Sequence, residues 1–361
     1  MSGDLGPLIA AYDPSADLAH ATTPPKRWYT DAGIANLEAD AVFARTWQLV
    51  ARADELQSTG DYVTTEIAGE PIVVVNDGST LRGFFNVCRH HAARVATDRC
   101  GNVRALHCPY HGWTYNLDGS LRSASQFEGV DLSGPEFSLQ PVRLEVWHGW
   151  VFVCLDPQAP RLAKVHADVA LEFDPEALAH HRRVSYELDC NWKVFVDNYL
   201  DGGYHVPFLH RELTGALDTS GYRIDVGQQH CMQSCPTSGD DNAATSVRAG
   251  QAWYLWLYPN LMINWYEGVM DVNLVLPSGP DRSIVHFDYY FADQDDAFRE
   301  QSIAVADRVQ REDVAICESV QRGLGSRSYE TGRLSPHKEG GERLFHQLLH
   351  RNLAEALARK R

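Results

Sequence analysis

The chain has 361 residues, 44% of them hydrophobic, and carries a formal net charge of −16 with a sequence pI near 5.4. That length provides for two or so domains, each able to bury a core of its own. Acidity of this degree excludes a nucleic-acid partner: phosphate binding needs clustered Lys and Arg, and no basic run exceeds Arg182-Arg183 or Arg359-Lys360-Arg361.

The N-terminus has no apolar run of signal-peptide type, and no stretch approaches the roughly 18 apolar residues of a membrane span, so a cytoplasmic protein, or one of an organelle stroma after transit-peptide removal, is expected. A helix is predicted over 31–46, followed by short strands over 47–51, 62–67 and 71–75, the last ended by the turn Asn76-Asp77-Gly78. Strands over 81–87 and 113–117 flank two Cys/His clusters, Asp118-Gly119 reads as a hairpin turn, and a further strand over 143–155 stops at Asp156-Pro157. Beyond 157 the pattern becomes mixed: strand 184–188, helix 192–204, strands near 253–258, 270–276 and 284–291, then helices over 295–324 and 342–360. The last puts Phe345, Leu348, Leu349, Leu353 and Leu357 on one apolar face. The fold class expected is α+β: an N-terminal all-β domain over 45–157, a mixed C-terminal domain with a central antiparallel sheet over 158–361, and an N-terminal segment, 1–44, packing on the latter.

Two clusters carry the chemistry. Cys88-Arg89-His90 and Cys108-Pro109-Tyr110-His111 each offer one thiolate and one imidazole, ligands suited to iron–sulfur or zinc. Zinc knuckles favour Cys-x2-Cys or His-x3-His pairs, whereas Cys-x-His with Cys-x2-His is the pattern of a Rieske [2Fe–2S] centre, with Cys88 and Cys108 on one iron and His90 and His111 on the other. Two imidazoles in place of two thiolates raise the reduction potential, which fits a relay that serves a second redox site. The other cysteines, Cys100, Cys154, Cys190, Cys231, Cys235 and Cys317, show no disulfide spacing; Cys231-x3-Cys235 lacks a partner pair and is read as buried or loop thiols in a reducing compartment.

The second site lies in 191–210, where His205 and His210 straddle Pro207 beside Asp197, Asn198 and Asp201. The proline is expected to prevent one helix from running through both histidines, so that they converge on one metal, a non-haem Fe(II) that needs one more carboxylate. Along 304–324, Val305, Val309, Ile316 and Val320 form an apolar stripe on which Asp313 falls; Glu312 points about 100° away and Glu318 is also off it. An ionised acid facing inward needs a cation, and Asp313 lies too far along the helix to be a first-turn acid.

These segments, with 197–207, 273–277 and 312–324, resemble Rieske non-haem iron oxygenase α subunits, and within that family the choline monooxygenase subgroup. The resemblance implies a facial triad of His205, His210 and Asp313, and a ring, commonly a homotrimer, in which a carboxylate hydrogen-bonded to a ligand histidine on each side joins one subunit's cluster to its neighbour's iron. Many members carry that acid three residues before the first histidine; here Gly202 stands there, and Asp201, related to His205 by i, i+4, is nominated instead. Asp201 and Asn198 are taken as the catalytic groups around the iron. O2 activated there inserts oxygen into a C–H bond, with electrons supplied from NAD(P)H by a separate reductase or ferredoxin, since no Gly-x-Gly-x-x-Gly follows a strand.

For the substrate, a small quaternary ammonium compound (choline oxidised to betaine aldehyde, or a betaine N-demethylated) calls for an aromatic pocket. Trp256, Trp265 and Tyr266 are the rings expected to line it, with Glu267 as counter-charge, from 253–258 and 265–267. An aromatic-ring hydroxylase, whose pocket would need neither cage nor acid, and a Rieske protein that only transfers electrons are the competing readings.

Overall fold

The structure, a computed structural model, describes residues 4–210, 217–237, 250–292 and 295–359. The predicted helix end at Lys360 lies outside them. The chain divides into two compact units, one joining Met1–Glu38 to His166–Arg361 and the other spanning Ala39–Val165.

The smaller unit is built on strands β1 (Gln48–Arg52), β2 (Asp61–Ile67), β3 (Glu70–Asn76), β4 (Leu81–Phe85), β5 (Cys100–Asn102), β6 (Leu106–His107), β7 (Thr114–Tyr115), β8 (Leu121–Ser123), β9 (Pro141–Trp147) and β10 (Trp150–Cys154). They form a sheet of order β1-β10-β9-β4-β3-β2-β5 and a small second sheet, β6-β7-β8. The single strand expected over 143–155 is two strands: His148 and Gly149 both take positive φ, 47° and 74°, and fold the run into a hairpin. Both cluster cysteines belong to the apolar core here, packed with Val73, Val75, Phe84, Leu106, Trp113 and Tyr115.

The larger unit begins with helices α1 (Gly6–Ala10), α2 (Arg27–Thr30) and α3 (Ala32–Glu38); α4 (Leu162–Val165) closes the smaller one. Strands β11 (Ala179–Leu188), β12 (Arg223–Val226), β13 (His230–Thr237), β14 (Gly250–Leu257), β15 (Leu261–Tyr266), β16 (Val269–Gly279) and β17 (Arg282–Phe291) make one antiparallel sheet of order β11-β17-β16-β15-β14-β13-β12. Helices α5 (Trp192–Leu200), α6 (Val206–Leu209), α7 (Asp296–Leu324) and α8 (Gly340–Arg359) complete it, with α5 packed on β16 and β17 and against α7 and α8. Both α5 and α7 start on a side-chain cap, Asn191 accepting from the Lys193 N–H and Asp295 from that of Ala297. In the N-terminal segment Glu38 meets α5 in a buried ion pair, Oε1 lying 2.7 Å from Lys193 Nζ, while Trp192 donates its indole N–H to Oε2 at 2.9 Å.

Candidate active site

The cluster loops share one construction. Ala92 N–H donates to the Cys88 carbonyl and Gly112 N–H to that of Cys108, and Ala92 and Gly112 both sit at positive φ, 59° and 76°. Each loop is thereby a closed turn that throws its Cys inward and its His toward the surface: Cys88 and Cys108 are buried, His90 is half-buried and His111 exposed. The Tyr115 hydroxyl accepts the Arg89 N–H at 2.9 Å and stands 3.3 Å from Cys88 Sγ. Asn86, buried, locks the first loop by accepting from Val95 and Ala96 N–H and donating to the Ala96 carbonyl. The rings of His90 and His111 lie 4.6 Å apart, with His90 stacked on Trp113.

The residues fit a [2Fe–2S] cluster. Both cysteines are free thiols, and His90 Nδ1 is buried with no hydrogen-bond partner among the described residues. Burial, helped by the facing Cys88, holds the Cys108 thiol above its ordinary pKa, a cost that metal coordination removes.

In the larger unit α5 stops at Leu200, four residues short of the expected end, and the cause is not Pro207. Gly202 and Gly203 take φ of 70° and 68° and turn the chain out of the helix, while Pro207 sits in the first turn of α6, where its missing N–H costs nothing. His205 caps that one-turn helix and His210 ends it, so the two rings meet with centroids 5.0 Å apart. Asp313 enters from α7: its Oδ1 is 3.2 Å from His210 Nε2 and 3.9 Å from His205 Nε2, and accepts from Asn198 Nδ2 at 2.9 Å.

Both far nitrogens are held. His205 Nδ1 is 2.7 Å from Asp201 Oδ2, and His210 Nδ1 is 2.7 Å from Glu312 Oε2. Carboxylates on Nδ1 leave Nε2 free to bind a cation, the usual outer support of metal-bound histidine. Glu312 escaped the helix-phase argument because His210 stands over the flank of α7, where a side chain turned away from the stripe still reaches. The stripe itself is buried at Val305, while Ile316 and Val320 are exposed; Glu318 accepts from the Asp189 N–H. Burial opposes a charge on His210, but Asp313 and Glu312 outweigh it and raise its pKa, so the site calls for positive charge, which a divalent ion supplies.

A second group, Asp197, Glu342 and His346, also brings its ligand atoms together, and the partners of its histidine argue against metal. His346 Nε2 lies 2.9 Å from Asp197 and 3.2 Å from the Tyr29 hydroxyl, which donates to Asp197 at 2.7 Å. Its Nδ1 is buried without a partner among the described residues, so a metal on Nε2 would force an N–H onto Nδ1 with no described group to receive it. Burial and the nearby Asp197 hold the Glu342 pKa well up.

A cavity of ≈ 150 Å³ opens beside His205, His210 and Asp313, between the sheet and helices α5 and α7. Tyr199, Tyr222, Tyr254 and Tyr266 line it, with Gln233, Asn264, Asp271 and Asn273. Of the rings expected from the sequence only Tyr266 is there. Trp256 shares Tyr254's strand face but lies two residues on, beneath Phe345 of α8; Trp265 points to the opposite face and stacks on Phe173. Glu267 is exposed in the turn after β15, where water already solvates its charge. Besides Asp313, the acid lining the pocket is Asp271. Its signal was present in Val269–Leu276, where Asp271 and Asn273 interrupt an apolar strand with period two, marking a buried polar face.

Residues 46–133 match the Rieske [2Fe–2S] domain and residues 175–355 the catalytic domain of the ring-hydroxylating α subunit. The chain belongs to the Rieske non-haem iron oxygenases. Its class is that of a Rieske non-haem iron monooxygenase, and its two domains imply a [2Fe–2S] cluster and a mononuclear iron. This oxygenase is 39% identical to the chloroplastic choline monooxygenase of Arabidopsis thaliana over 97% of the chain and 87% of that protein. It is 32% identical to the carnitine monooxygenase oxygenase subunit of Escherichia coli strain K12, covering 93% of each. Among solved structures, a quaternary ammonium Rieske monooxygenase superposes with a TM-score of 0.83 at 29% identity, over 92% of this chain and 96% of that one. A naphthalene 1,2-dioxygenase from Rhodococcus shares the fold, with a TM-score of 0.77 at 22% identity over 92% and 95% of the two chains.

Proposed function

We propose that this oxygenase oxidises a small quaternary ammonium compound at a carbon bonded to nitrogen. The carrying observation is the tyrosine-lined cavity beside the iron ligands. A quaternary ammonium has no N–H to donate, so recognition falls to ring faces, each worth about 0.5–2 kcal/mol depending on desolvation. The Tyr254 and Tyr266 rings meet edge to face at 5.9 Å, Tyr222 lies parallel to Tyr254 at 6.5 Å, and hydrogen bonds from Tyr266 to Tyr254, and from Tyr222 to Gln233, hold the set in place. The relatives named choline and carnitine monooxygenases act on compounds of this class. A hydrocarbon ring gains nothing from Asp271, whose burial would go uncompensated.

His205, His210 and Asp313 would hold the mononuclear iron, which when bound supplies the site of O2 activation. Asp201 and Glu312 fix the two imidazoles as Nδ1–H tautomers, and Asn198 fixes the Asp313 oxygen that faces them. The tyrosines hold the cationic head while the lining of Phe195, Val305 and Val309 keeps water from the reacting carbon. Cys88, Cys108, His90 and His111 would hold the cluster, loaded by a separate NAD(P)H-dependent reductase or ferredoxin. Asp201 is the group we assign to join the iron site to a neighbouring subunit's cluster in a homotrimer. No described helix is long and apolar enough to cross a membrane, and a cytoplasmic or stromal location belongs to the proposal, the choline monooxygenase relatives being chloroplastic. The test is a screen of choline, glycine betaine, carnitine and simple aromatics with a surrogate reductase, scored by oxygenated product; product from an aromatic ring and from no ammonium compound would overturn the reading.

A further inference from the structure

We propose that the pocket discriminates within quaternary ammonium compounds, accepting a cation with a neutral tail, such as choline, and disfavouring zwitterions that carry a carboxylate, with Asp271 as the specificity-determining group. The inference rests on the reading above and narrows it.

Asp271 belongs to a row set by strand register. Gln233 pairs with Tyr254, Tyr254 with Asn264, Asn264 with Asp271 and Asp271 with Tyr289, so one line across five strands presents cage and acid to the same side. Asp271 is only 7% exposed, and no Arg or Lys touches it in any contact of the described residues. Its two hydrogen bonds among the described residues, from Asn264 Nδ2 at 2.8 Å and Asn273 Nδ2 at 2.5 Å, both fall on Oδ2, and the residue lines the cavity. Neutral amides position the carboxylate without neutralising it. The complementary charge is left for the ligand to bring.

The rest of the lining shows the converse. Among the described residues it contains no Lys or Arg; Lys338 packs on the Tyr222 ring, Nζ 4.9 Å from its centroid, without lining the cavity. A ligand carboxylate would therefore lose its hydration, face Asp271, and find neutral amides and phenols as its partners beyond the iron site. A hydroxyl-bearing tail meets the same amides at little cost.

Burial holds the Asp271 pKa up at about 7, the Asn264 hydrogen bond opposing it. Apart from His205, His210 and Asp313, which line the same cavity, the ionisable groups facing Asp271 among the described residues are phenols: Tyr199 from α5, Tyr254 and Tyr266 from β14 and β15, and Tyr289 from β17. All are held above their ordinary pKa and stay neutral across this range. Cation binding favours the ionised acid, so affinity for choline falls as pH drops below 7.

The experiment is calorimetric binding to the holoenzyme of choline, glycine betaine and the uncharged carbon isostere of choline, with product analysis alongside. Wild type should bind choline at least about tenfold more tightly than glycine betaine. Asp271→Asn should weaken choline about tenfold, abolish the pH dependence near 7, and leave the isostere unchanged. Equal binding of choline and glycine betaine, or an equal loss of choline and isostere in the variant, overturns the proposal. Selective binding without oxygenated product would instead overturn the proposed function and leave the selectivity standing.

Discussion

Around the iron site the acids do different work according to which nitrogen or metal face they meet. Asp313 faces the two Nε2 atoms, whereas Asp201 and Glu312 sit behind the rings on Nδ1. Removing Glu312 frees the His210 ring to rotate and pick either tautomer. Glu312→Ala should therefore weaken iron binding about 10–100-fold, read by iron content against chelator concentration, while the cluster absorption stays. Asp201→Asn keeps a hydrogen-bonding group of the same shape, so cluster and iron should both remain bound; if Asp201 also joins neighbouring subunits, stopped-flow reoxidation of the cluster should slow by about two orders of magnitude or more with substrate affinity unchanged. A wild-type rate in that variant would assign the bridge to another group. Asp201 was legible as an i, i+4 neighbour of His205, but Glu312 was not, because helix phase gives a direction and only the partner's position says what that direction meets.

The break between α5 and α6 decides where these groups point. Position 202 pairs a left-handed backbone with a close approach: an added Cβ would lie 2.3 Å from the Lys338 carbonyl oxygen and 2.7 Å from Ile224 Cδ1. No side chain fits at 202 without a shift of the neighbouring backbone. Gly202→Ala should cost about 1–3 kcal/mol from the backbone alone, with more from the contact, and should lower iron occupancy because it moves His205 relative to Asp313; thermal unfolding and metal analysis check both. The sheet contributes in the same manner: period-two alternation in 269–276 is visible in the sequence, yet that it faces Tyr254 and Tyr266 rather than Trp265 follows from register with β14 and β15.

Across the molecule the two candidate iron environments fall in separate units, Cys88, His90, Cys108 and His111 within Ala39–Val165 and His205, His210 and Asp313 within the other. Asp313→Ala should thus lose the mononuclear iron and all turnover while the visible absorption of the cluster persists; loss of both would show the two to be interdependent. Stability should also carry the mark of Asp271. A carboxyl whose folded pKa of about 7 exceeds its unfolded value penalises the native state progressively as pH rises from about 4 to 7, and fully above that. Asp271→Asn should accordingly raise Tm by about 5 °C at pH 8 and by almost nothing near pH 4, a profile opposite to that of a salt-bridged acid. The convergence of His205, His210 and Asp313, the long helix bearing Asp313, and the chain's place in a known family were all readable from the residues, because metal chemistry restricts residue type and local spacing restricts reach. The substrate cavity was not. Its tyrosines, its amides and Asp271 come from strands and helices far apart in the chain, and only the register of the folded sheet, closed over by α5 and α7, brings them to one face and leaves Glu267 in water.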